Sequence, residues 1–211
     1  MRTAQEKFDA ACEHYNKAMQ NIETITSIYE KVTKEKHPYL KKQFDVFLQM
    51  VLLRLSIGDG HFSHLERVFI EQIVDNGDIL EFVNQKYNTE LTWEGIEAST
   101  AEQISEFLGL DKVLDAIADL MHEFFLPVFA VYEGASSELW DNTVEEVTSI
   151  CEIFTVLDDD CDTIAKTNAI QHWIHIFFVQ YIEMFRERLK QYNTDKHSLT
   201  GNFGKLNGNT K

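Results

Sequence analysis

From Ala135 to Thr200 the chain contains neither glycine nor proline. These two residues are the usual interruptions of a helix, so their absence leaves room for long uninterrupted ones. The apolar side chains within this run obey the same geometry. Ile170, Trp173, Ile174, Phe177, Phe178, Tyr181, Ile182, Phe185 and Leu189 recur every one, three or four residues and form a thick band on a helix predicted over about 163–192. At the other end, Phe8, Cys12, Tyr15, Met19, Ile22, Ile25, Tyr29 and Val32 are spaced by threes and fours along a helix predicted over 3–35. That is the seam of a coiled-coil-like helix, which must be buried against the body of the chain or against a partner.

Between these two helices the same period continues. Pro38 suits the first turn of a helix over about 38–57, apolar around much of its circumference and therefore central. Gly58-Asp59-Gly60 ends it. Ser63 and Glu66 form a capping box for a helix to about Val74, with Phe62 placed to staple back onto Arg67 and Val68. Asn76-Gly77 breaks that helix. Asp78 with Glu81, and Ser99 with Glu102, form two further boxes, for helices through Tyr87 and to about Gly109. Residues 88–98 are the least regular part. A helix over about 111–133 is kinked at Pro127 and ended by Glu133-Gly134, and another covers 137–157 up to the acidic run at 158–162. No segment alternates as a strand does. The predicted fold is all-α, a bundle of eight or nine helices. Residues 1–37 form its long N-terminal helix, 38–192 the bundle with its long C-terminal helix, and 193–211 a flexible tail.

Charge narrows the partners. The net charge is −16, unevenly spread. Residues 1–42 hold eight basic and six acidic residues, and residues 186–211 hold six and two. Residues 43–185 hold five basic and twenty-seven acidic residues, a local charge of −22. Such a body repels phosphate backbones, which excludes nucleic acid as its partner, and attracts divalent cations or a basic protein surface. Solubility alone is the simpler purpose of the same charge. The three cysteines, Cys12, Cys151 and Cys161, form no CxxC pair and read as reduced thiols. The first residues carry no apolar segment, and the most apolar helical stretch, 174–182, is too short to span a bilayer. A cytoplasmic protein without membrane insertion is expected.

The Asp-Gly turn invites a test against the EF-hand loop, which needs oxygen ligands at positions 1, 3 and 5, Gly at 6 and Glu at 12. With Gly60 at position 6, Glu66 falls at 12, but Leu55 and Ile57 fall at 1 and 3 and offer no side-chain oxygen. The run from Asp158 fails in its second half, with Thr163 at 6 and Ala169 at 12, and suits a helix cap instead. A complete EF-hand is excluded at both places.

The order Asp59-Gly60-x-Phe62-Ser63-x-x-Glu66 after an apolar helix resembles the signature turn of the TerB-like family. That family comprises the tellurite-resistance B proteins and the related N-terminal domain of a membrane-anchored DnaJ-type co-chaperone. The resemblance covers roughly residues 44–157. It implies an all-helical bundle with a second similar turn, for which residues 131–147 are the candidate. There Glu133-Gly134 stands for Asp-Gly, while Trp140 stands where Glu is expected. The resemblance also implies no enzymatic activity. It points to a part in the response to tellurite and other toxic oxyanions, acidic residues that take a divalent cation, and assembly near a membrane. Asp59, Glu66 and Glu133 are the candidate metal ligands. The turn admits a second reading, in which Gly60, Ser63 and Glu66 serve the helix start alone.

Two other classes remain on the residues. A helical metalloenzyme would use His122, His172 and His175, with Asp119 and His122 as half of a di-iron motif that needs a second such pair and two more carboxylates. A structural homo-oligomer would assemble through the first or the last helix. The sequence contains no nucleophile elbow, phosphate loop or zinc-type Cys/His spacing.

Overall fold

A computed structural model describes residues 3–34, 36, 40–56, 62–74, 79–100, 102–103, 106, 133–157, 168 and 187. Among the described residues the chain is all-α, without a strand. Six helices are delimited: α1 Ala4–Thr33, α2 Leu40–Ser56, α3 His64–Ile73, α4 Ile79–Tyr87, α5 Trp93–Glu97 and α6 Glu133–Thr155. The helices expected over 111–133 and 163–192, and the tail from 193, lie outside the described residues, apart from single helical residues at 168 and 187.

The seam of α1 is buried within the chain, chiefly against α6. Phe8, Ala11, Tyr15, Ala18, Ile22, Ile25 and Tyr29 line it and are buried, as is Met19 beside Ala18. The lining positions alternate by three and four without a slip, as a heptad does. The facing positions on α6 do the same: Trp140, Thr143, Val147, Ile150 and Phe154. The two helices run antiparallel. Lys7 donates to the carbonyl of Val156, while His14 lies 2.6 Å from Glu146. Of the stripe residues that the sequence picks out, Met19 is buried and Cys12 partly so; Ala11 and Ala18, which it does not, are fully buried beside them. Thr3 and Glu6 cap the start of α1 reciprocally.

As its composition demands, α2 is central. Every residue from Phe44 to Leu53 is buried, whichever side of the helix it lies on. Two of these are polar, and each ties α2 to a neighbour. Asp45 accepts a 2.7 Å hydrogen bond from the Tyr15 hydroxyl of α1. Gln49 accepts a 2.8 Å bond from the Ile79 amide and so caps α4 from another helix. Phe69 of α3 closes the bundle, its ring centroid 5.1 Å from that of Phe8 and 5.3 Å from that of Phe154.

Three local expectations are corrected. Residues 88–98 are not irregular throughout: Thr92 caps the short helix α5 by accepting from the Gly95 amide at 3.1 Å. The next capping box lies one residue later than expected. Thr100 and Gln103 bond reciprocally, while Ser99 donates to the Gly95 carbonyl at 2.6 Å. A helix end already supplied by Ser99 leaves Thr100 to begin the next element. Finally, Glu133-Gly134, expected to break the helix, is itself helical, at the N-terminal end of α6. In a first turn the backbone amides lack intrahelical partners anyway, so glycine disturbs little there.

Candidate functional site

Of the turn singled out by its sequence, the described part is Phe62 to Glu66, at the start of α3. Ser63, in extended conformation, accepts from the Glu66 amide at 3.2 Å, and Glu66 Oε2 accepts from the Ser63 amide at 2.8 Å. The box is therefore formed as its spacing predicts. Glu66 is only 1% exposed, so its carboxylate faces inward. Phe62, immediately before the cap, is buried and stacks on Trp93 of α5, with centroids 6.0 Å apart and planes 21° from parallel.

Of the three candidate metal ligands, Glu66 has a described side chain. Asp59 lies outside the described residues. Glu133 is the first residue of α6, and its side chain is likewise outside the description. His122, His172, His175 and Asp119 also lie outside. Among the described residues no three His, Cys, Asp or Glu side chains are grouped to hold a metal ion. Glu66 by itself does not fit a divalent ion: a hard cation takes six or more oxygens, and one oxygen of this carboxylate already serves a backbone amide.

The residue after the box was not anticipated as part of a cluster. Arg67, one of the few cations in the acidic body, gathers three carboxylates. It lies 3.4 Å from Glu71, 3.2 Å from Glu94 and 3.5 Å from Glu97. His64 reaches Glu97 as well, at 3.2 Å. Partial burial works against the guanidinium charge, but Glu71, Glu94 and Glu97 outweigh it and hold its pKa above the usual value. Glu94 is held below the usual carboxylate range by its own backbone amide and then by the Arg67 charge. The sequence shows only that Glu94 and Glu97 are spaced for one face of a helical turn, not that Arg67 will meet them.

A second concave feature lies between α1, α2 and α3. This cleft of about 550 Å³ has Tyr15, Met19 and Ile73 at its floor, with Glu23 and Lys41 3.9 Å apart at its mouth. Burial, then Asp9, raises the pKa of Cys12 on its wall, so this thiol is a poor thiolate. Cys151, in the α6 seam, is pushed up to about 12 by burial and by Glu152.

The outward face of α6 has a single sign of charge. Glu138, Asp141, Glu145 and Glu152 are exposed there, and the helix contains no lysine, arginine or histidine. None of these four pairs with a cation among the described residues. No helix among the described residues is long and apolar enough to cross a membrane. No protein-family model, curated protein or solved structure matches this chain.

Proposed function

We propose that this chain is a non-enzymatic cytoplasmic adaptor of TerB-like type, a bundle of eight or nine helices that engages a protein partner bearing a basic surface and belongs to a stress response such as that to toxic oxyanions. The observation supporting this reading is the α6 face. Four exposed carboxylates without a cationic neighbour among the described residues repel one another and favour any arrangement that brings positive charge to them. The test is co-purification at low ionic strength from the native cell, with the parent and with a variant carrying Glu138→Gln, Asp141→Asn, Glu145→Gln and Glu152→Gln. A basic protein retained by the parent, lost at high salt and lost from the variant is the expected result. A partner held equally by both places the interface elsewhere.

A divalent-cation response belongs to the same reading, through Asp59, Glu66 and Glu133. Calcium, magnesium, manganese and zinc, each added after chelation, test it in a thermal melt. An ion at 100 times its dissociation constant contributes ~2.7 kcal/mol, which raises the midpoint by several degrees. Asp59→Asn should abolish that shift. Absence of a shift with every ion removes the cation from the reading and leaves Glu66 a helix cap.

A further inference from the structure

The short helix α5 is held unlike the others. Five residues are too few for a helix to persist on its own hydrogen bonds. Of these five, Ile96 alone is buried. The connection leading into α5 is fixed to α4 by one side chain. Asn84 donates to the Leu91 carbonyl at 2.9 Å and accepts from the Leu91 amide and the Thr89 hydroxyl, each at 2.8 Å. The chain is thus pinned up to Leu91 and next secured on α3. The holds are the Phe62–Trp93 stack just before α3, the ion pairs of Arg67 with Glu94 and Glu97, and the contact of His64 with Glu97.

We infer that α5 is a strap, hinged just after the Asn84 pin at Leu91 and latched by Arg67, whose release uncovers Phe62 beside the Ser63 cap of α3. The physical case is one of proportion. The helices of the core are secured by many buried apolar side chains, against which a surface ion pair is a small addition. α5 has one buried side chain and one ring stack, so the latch is a large share of what holds it. Segments with few buried contacts open independently of global unfolding. The latch is also screenable: Glu94 is well exposed, and added salt weakens its attraction to Arg67. When α5 swings away at Leu91, Trp93 leaves with it and one face of the Phe62 ring is bared beside the start of α3. This inference stands on the α3–α5 geometry and does not depend on the adaptor reading.

The test is amide hydrogen exchange on the full chain, comparing the peptide over residues 93–99 with peptides from α1, α2 and α6. In Arg67→Gln the 93–99 amides should exchange at least about tenfold faster while the other helices keep their protection. The pair Glu94→Gln with Glu97→Gln releases the latch from its other side and should reproduce that pattern with α3 unaltered. Added sodium chloride should accelerate 93–99 in the parent and have little effect in either variant. Exchange at 93–99 that is unchanged in both variants overturns the inference. So does acceleration shared equally by all helices, which would make Arg67 a general stabiliser, and so does an absence of salt dependence in the parent.

Discussion

Glu66 and Ser63 illustrate how much two side chains settle at a helix start. Each accepts a hydrogen bond from the other's backbone amide, so two amides without intrahelical partners are satisfied at once. Ser63→Ala removes one acceptor and should lower unfolding stability by about 1 kcal/mol, read in a urea titration as a lower midpoint at unchanged slope. A loss near zero would mean that water replaces the hydroxyl. The box was legible because its members lie three residues apart and the geometry is local. Arg67, the very next charged residue, was not. Its partners Glu94 and Glu97 come from another helix, and no local pattern says which of the many carboxylates will face it.

At the scale of elements, the α1–α6 pair depends on small residues as much as on large ones. Ala18 is fully buried where two antiparallel helices meet. Ala18→Leu inserts a branched side chain into that contact and should cost about 1–3 kcal/mol by forcing the helices apart, measurable as a lowered melting temperature. A neutral outcome would show that the seam has room to spare. The sequence made the α1 stripe visible through its large residues, but alanine is apolar enough for a core and small enough for a surface. Only the position of α6 puts Ala11 and Ala18 inside. The α5 latch carries a pH dependence whose sign follows from Glu94. Its folded pKa lies below the ordinary 4.5 because of its own amide and Arg67. The ionised group therefore stabilises the fold above that value, and the contribution is lost as pH falls through the lowered one. Arg67, Glu71 and Glu97 are the charged groups of the cluster around it, and His64 is the titratable one. Protection of the 93–99 amides, corrected for intrinsic exchange, should fall below about pH 4.5 before that of α2 does. Simultaneous loss in both would assign the acid transition to the whole fold.

For the whole molecule, charge acts in two opposite senses. A net charge of −16 opposes compaction, so added salt should raise the melting temperature even as it loosens α5. A melting temperature that falls with salt would mean that ion pairs such as those of Arg67 outweigh the general repulsion. What the sequence determined by itself is whatever depends on neighbours within a turn or two. The all-α character follows from apolar spacing and sparse helix breakers. The central place of α2 follows from a run of apolar residues too wide for one face, and the start of α3 follows from Ser63 and Glu66. The tertiary structure decided what depends on distant partners. It set α1 against α6, which chain order does not reveal. It made Gln49 of α2 the cap of α4 and gave Asp45 the Tyr15 hydroxyl. It also drew α5 onto α3 through Arg67 and Phe62, in a stretch that had no helical period of its own. The physical reason is the same throughout: a helix forms from contacts four residues apart, while its place in the fold is set by buried surfaces and polar groups that meet only once the chain has closed on itself.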